Sequence, residues 1–210
     1  MSKFSRKFAS TGKILKTRRM IPPRIEKPSY YLNGLVENQI DTIPKYKEAL
    51  AIRSNNMREA AILAKTMRFL AKFLAKEGTT TEELDYKIHL DCIENGFYPA
   101  ALHYKNFPKS ISTSVNEIAC HGIPDDRKLN VLKFIEKNGD ILKVDCMSYR
   151  NGHFGDCCGS FVIGEGGKDR EEKENLVDVA RKCVRKAIDV CGPGVPFSQV
   201  GNVISFLDFF

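Results

Sequence analysis

No stretch of this 210-residue sequence approaches the roughly 18 consecutive apolar residues that a membrane-spanning helix needs. The seven cysteines (Cys92, Cys120, Cys146, Cys157, Cys158, Cys183 and Cys191) include no C-x-x-C spacing, and no apolar secretory core accompanies them. That pattern argues against a disulfide framework and for reduced thiols in a cytosolic or matrix protein. There is no internal repeat and no low-complexity tract. Acid is absent from residues 1–25, which carry Lys3, Arg6, Lys7, Lys13, Lys16, Arg18, Arg19 and Arg24. The chain has 33 bases, 26 acids and a net charge of +7; without those eight bases, 25 stand against 26 acids. The body is therefore close to neutral, and no nucleic-acid partner is expected of it.

A leader rich in Lys, Arg and Ser, free of acid and interspersed with Phe4, Phe8, Ile14 and Leu15, has the composition of a mitochondrial transit peptide. A disordered basic tail or a phosphate-binding arm would have a similar composition. The expected location is the mitochondrial matrix, with the cytoplasm as the alternative. Residues 1–27 are assigned to this leader and 28–44 to an extended connector announced by Pro22, Pro23 and Pro28.

From residue 45 the pattern becomes helical. Ala60, Leu63, Ala64, Met67, Leu70, Ala71 and Leu74 recur at three- and four-residue intervals, and Gly78 stops the run. Thr79 to Thr81 followed by Glu82 and Glu83 is a capping-box signal for a second helix to about Glu94. Residues 97–124 read as short strands and turns, and 127–137 as a helix-like or irregular piece. A charged helix over about 169–190 should bury Leu176, Val179, Ala180, Cys183, Ala187 and Ile188, and a further helix starts near Ser198. Helices flanking antiparallel strands define an α+β class.

The segment 144-VDCMSYRNGHFGDCCGSF-161 predicts a hairpin. Asn-Gly suits a two-residue type I′ turn, in which both central residues take positive φ. With Asn151-Gly152 as the turn, Met147 faces Asp156, Asp145 faces Cys158, and these four share one face. The two aspartates become diagonal neighbours, about 7–8 Å apart at the backbone. Carboxylates so close repel unless a cation lies between them; the alternative is that each pairs with its own Lys or Arg. Cys157 and Cys158 point to opposite faces and are a poor joint chelate.

The runs 107-FPKSISTSVNEIACHGIPDDR-127, 139-GDILKVD-145 and 151-NGHFGD-156, in that order, resemble type 1 methionine aminopeptidases. The segment 196-PFSQVGNVIS-205 and the basic leader are most similar to the mitochondrial form. The resemblance covers roughly residues 28–205. It implies a pita-bread fold, here its N-terminal half plus the start of the second, so that 45–210 would be a partial catalytic domain. It implies removal of the initiator Met from nascent or imported proteins by a pair of divalent ions (Co, Mn, Zn or Fe) held by two Asp, one His and two Glu. Asp145 and Asp156 match the two Asp ligands. His121 matches the active-site histidine that contacts substrate, and Tyr104 a residue lining the methionine pocket.

The sequence also departs from the family. No Gly-His-Gly-Ile stretch follows residue 205, and no later segment carries the two Glu, so this chain alone is expected to hold a dinuclear centre poorly and to show no turnover. Met147 stands where Thr is usual, Phe154 replaces the His of His-Gly-Asp with His153 displaced by one, and Ser112 stands where Cys is common. The alternative reading is a non-catalytic pita-bread-like interaction module, with a protein partner over the open apolar face.

Overall fold

The computed structural model describes residues 10, 12–17, 19–35, 47–130, 139–164 and 169–207. Most of the helix-like piece expected over 127–137 lies outside the described residues. The chain forms α1 (Lys47–Leu74), α2 (Thr81–Glu94), β1 (Tyr98–Pro99), β2 (Ser112–Val115), β3 (Ile141–Arg150), β4 (His153–Val162), α3 (Arg170–Asp189) and α4 (Ser198–Leu207), with short 3-10 turns at Ser29–Tyr31 and Tyr104–Asn106.

Local signals explain the boundaries. The Thr80 hydroxyl accepts from the Glu83 N–H, and the Glu83 carboxylate accepts from the Thr80 N–H, closing a capping box at the start of α2. Asn151 and Gly152 take φ of 52° and 75°, as the type I′ turn requires.

The sheet is antiparallel and centred on β3. β4 pairs with it from Ile141↔Val162 to Arg150↔His153, while β2 (Ser112↔Asp145 to Val115↔Leu142) and β1 (Tyr98↔Tyr149, Pro99↔Ser148) share its other edge. Leu142, Val144, Cys146 and Ser148 alternate into the interior, where Met67 and Ala71 of α1 and Leu84, Ile88 and Cys92 of α2 complete the core. α1 lies very close to the hairpin. The Ser148 hydroxyl donates to the Ala60 carbonyl at 2.6 Å, and a Cβ on Gly155 would come within 2.1 Å of that same oxygen.

From Ser10 onward the basic N-terminal segment is built into the body. The Ser10 hydroxyl and Gly12 N–H donate to Asp125 at 2.6 and 2.7 Å, and the buried Arg19 donates to Asp85 (2.8 Å) and Glu82 (2.7 Å). Lys109, also buried, donates to Glu82, Thr17 and the Leu15 carbonyl. Ile25 and Tyr30 lie in one apolar cluster with Tyr98 and Leu102, so contacts run continuously across the leader boundary expected at residue 27. Composition reads Arg19 as part of a basic leader; its position here follows from two interior carboxylates that need a cation.

The stripe expected to be the buried face of α3 is exposed. Leu176 and Ile188 are 62% and 64% exposed, Val179 41%, and no residue of α3 is buried. The amphipathic pattern forms the helix, but burial needs a facing apolar surface, and among the described residues α3 meets mainly α4 and the end of β4.

Gly155→Ala is expected to lower stability by about 3 kcal/mol, because α1 cannot move off the hairpin without opening the core. Arg19→Met should cost about 3–5 kcal/mol by stranding Asp85, while Glu82 keeps Lys109. Urea unfolding monitored by circular dichroism checks both, and a midpoint unchanged by Arg19→Met would show that the segment is not structural.

Candidate metal centre

The open face of the hairpin carries Lys143, Asp145, Met147 and Tyr149 from β3, facing Ser160, Cys158, Asp156 and Phe154 of β4. The expected register is observed: Met147↔Asp156 and Asp145↔Cys158. Asp145 and Asp156 come close enough to share a hydrogen bond, and the Asp145 carboxyl is raised to about 6. Burial is the largest cause, the charge of Asp156 adds to it, and His121 opposes it. Among the described residues neither aspartate forms an ion pair with Lys or Arg, and Lys143 on the same face donates instead to the Asn116 carbonyl at 2.6 Å.

His121 is exposed, at φ 56°, at the rim of this face. Its position is set by the next residue. The Gly122 carbonyl accepts from Thr113 N–H (3.0 Å) and the Ser112 hydroxyl (3.1 Å), while Gly122 N–H donates to the Ser114 hydroxyl (3.0 Å). A Cβ on Gly122 would fall 2.2 Å from the Thr113 oxygen, so glycine is required for this docking. Because β2 is paired with β3 at Ser112↔Asp145, fastening Gly122 to β2 brings His121 to Asp145.

Tyr104 lies apart from the carboxylates, toward the turn end of the hairpin. Its ring meets Tyr30 edge-on at 5.4 Å, Tyr30 stacks on Phe154 at 6.3 Å, and Phe154 meets Tyr149 at 4.8 Å. This aromatic group beside Asp156 was not anticipated from sequence; the signal for part of it was that Tyr149 and Phe154 alternate onto the same face as the carboxylates.

The remaining histidines have other roles. His89 is buried between the Ser110 hydroxyl (2.8 Å) and the Met20 carbonyl (3.1 Å), as suits a structural histidine. His103 bonds the Tyr31 carbonyl and His153 the Asn151 carbonyl. Cys158, opposite Asp145, has its thiol pushed up to about 11, by desolvation first and then by the Asp145 charge, whereas Cys157 interacts with Arg68 and Lys65 of α1 on the other side. No group of three or more His, Cys, Asp or Glu is arranged to hold a metal ion among the described residues.

An antiparallel sheet covered on one side by two helices, with paired carboxylates on the uncovered side of its long hairpin, is the arrangement of the pita-bread metallopeptidases. The chain belongs to metallopeptidase family M24, whose model matches residues 55–205. It is 40% identical over 185 residues to methionine aminopeptidase 1D, mitochondrial, of Mus musculus, covering 88% of this chain and 51% of the mouse protein. It is 41% identical over 187 residues to methionine aminopeptidase 1D, chloroplastic/mitochondrial, of Arabidopsis thaliana, covering 89% and 50%. The chain thus spans about half the length of these curated relatives. The crystal structure of methionine aminopeptidase from Rickettsia prowazekii superposes with a TM-score of 0.66 at 32% identity, over 79% of this chain and 62% of that one. A prolidase from Pyrococcus horikoshii shares the fold, at a TM-score of 0.59 and 15% identity over 78% and 42%.

A carboxyl raised to about 6 on folding stabilises the metal-free protein in acid, below its unfolded value near 3.8, and loses that contribution as pH rises through 6. Asp145→Asn is therefore expected to stabilise the metal-free chain at pH 7 by about 1 kcal/mol, allowing for solvent screening, with no difference below about pH 4. Thermal melts in chelator at the two pH values measure this; equal effects at both would remove the tension between the carboxylates.

Proposed function

We propose that this chain forms the carboxylate-bearing part of a methionine aminopeptidase active site, with Asp145 and Asp156 as ligands of divalent metal. The observation that carries the reading is the pair itself: two acids sharing a hydrogen bond on an open face, without a basic partner among the described residues. Of the buried acids elsewhere in this fold, Glu82 and Asp85 are matched with Arg19 or Lys109 and Asp140 with Arg127, while Asp125 accepts from the Ser10 and Thr81 hydroxyls and the Gly12 N–H. The oxygen donors fit a hard or borderline divalent ion such as manganese, iron, cobalt or zinc, whose charge would relieve the repulsion that raises Asp145. When bound, such ions supply Lewis acidity at a scissile carbonyl.

The chain's own groups have distinct tasks. Asp145 and Asp156, positioned from two paired strands, hold a fixed geometry toward the cation. His121, at the rim beside Asp145, contacts the substrate carbonyl and stabilises the negative charge that develops on its oxygen. Tyr104 and Phe154, held by the buried ring of Tyr30 between them, offer an aromatic surface to an unbranched thioether, for which sulfur–aromatic contact is favourable. The substrate class is peptides with an N-terminal methionine, from nascent or imported proteins. The location is mitochondrial on this reading, supported by the acid-free composition of residues 1–25 and by the names of the mouse and Arabidopsis relatives.

A manganese or cobalt titration of the 210-residue chain tests the ligand assignment. Saturating metal should raise the melting temperature, since a ligand held about a hundredfold above its dissociation constant adds about 2.7 kcal/mol. Asp156→Ala should abolish the rise. Indifference of both proteins to metal would favour the non-catalytic interaction module. The chain by itself is expected to release no methionine from a Met-Ala-Ser peptide, because two carboxylates do not complete a dinuclear site; metal-dependent release would contradict this.

A further inference from the structure

The side of α1 turned away from the sheet is an unusual surface. Ala60, Ala64, Met67 and Ala71 face the core, and on the opposite side Ile62, Phe69 and Phe73 are 61%, 54% and 70% exposed. Spaced at seven and four residues, they form one line along the helix. Alongside them run Arg58, Lys65, Lys72 and Lys76, with Arg68 on the flank, its side chain lying against Gly159 of β4, and between Arg58 and Lys76 the only acid is Glu59. The cations sit over the rings: Lys65 and Arg68 lie 5.7 and 5.2 Å from the Phe69 centroid, and Lys76 lies 5.1 Å from that of Phe73.

The acids nearest the end of this stripe are already used. Glu77, which is not free, and Glu174 and Asp178 of α3 line a cavity of about 690 Å³ with Lys72 and Lys76, and the two α3 acids pair with Arg170 and Arg181 of their own helix. Lys65, Lys72 and Lys76 make no ion pair among the described residues. The chain therefore displays a convex, strongly basic helix face with a line of protruding apolar side chains, on the side of the sheet opposite Asp145 and Asp156.

We propose that this face of α1 binds the surface of an anionic lipid bilayer. Phe69, Phe73 and Ile62 would enter the headgroup–acyl boundary while the Lys and Arg side chains meet lipid phosphates, as in interfacial amphipathic helices. A single-stranded nucleic acid fits less well. It would require a groove to track its backbone and open ring faces on which bases stack, whereas here the helix is convex, the rings carry their own cations, and Ile62 cannot stack. Docked in this way, the chain turns its carboxylates away from the bilayer toward the aqueous side. The inference stands independently of the metal site.

The chain has no tryptophan, so Phe73→Trp gives a single reporter on this face. Its emission should shift to the blue with phosphatidylglycerol-containing vesicles and stay unchanged with pure phosphatidylcholine. Replacing Lys65, Lys72 and Lys76 by Gln in that background should weaken binding about a hundredfold, at roughly tenfold or less per charge. All four positions are exposed, and an unchanged circular dichroism spectrum verifies the fold. Because the leader is also basic, the local reporter separates attachment through α1 from attachment through the leader. The proposal is overturned by vesicle binding without a blue shift or by undiminished binding of the triple variant. It is likewise overturned by a lipid-independent shift that tracks self-association, or by salt-sensitive binding to single-stranded RNA without partition to vesicles.

Discussion

The pairing register of β3 and β4 is the constraint on which the site depends. A slip of one residue would exchange the faces of every side chain, sending Asp145 into the core and Val144 onto the surface. Three contacts oppose such a slip. The Asn151-Gly152 turn allows only a two-residue connection, the alternation of Leu142, Val144 and Cys146 buries one face, and the Ala60 carbonyl of α1 fits against Gly155. The glycine directly before Asp156 thus has a packing reason. It admits a helix backbone on one side of the strand while its neighbours present an aromatic ring and a carboxylate on the other.

The molecule treats its fully buried acids and the pair on the open face in two ways. Asp140 and Asp125 are matched from within the chain, by Arg127 and by Ser10 and Gly12. Asp85 and Glu82 are matched with Arg19 and Lys109, and Asp85 also accepts the Ser110 and Ile111 N–H groups at 2.7 and 2.9 Å just ahead of β2. That network fixes an edge strand and, through Gly122, the loop bearing His121. Asp145 and Asp156 share a hydrogen bond with each other instead, at an electrostatic cost that appears in the raised Asp145 carboxyl. Unmatched acids persist in a fold when something outside the protein matches them, which is why the pair reads as a binding site and the buried acids as architecture.

The hairpin was legible because both of its determinants are local: positive φ at two adjacent positions and a side-chain period of two. α1 and α2 were legible from their apolar spacing and capping chemistry. The aromatic group was only partly so, because Tyr149 and Phe154 follow from the register while Tyr30 arrives from more than 100 residues away. α3 marks the limit of pattern reading. Its apolar stripe was evident, but whether such a stripe is buried depends on a second surface, and here it is exposed.

By itself the sequence determined the turn, the register and hence the common face of Asp145 and Asp156, since these need nothing beyond the segment that contains them. It also carried the motifs that relate the chain to its family. Only the tertiary structure decided that the basic segment from Ser10 onward belongs to the body, because Arg19 finds its carboxylates some 63 to 66 positions away. Likewise only the fold could decide between a basic partner and a shared hydrogen bond for the paired aspartates. Charge compensation depends on which side chains meet in space, and one-dimensional spacing leaves that open.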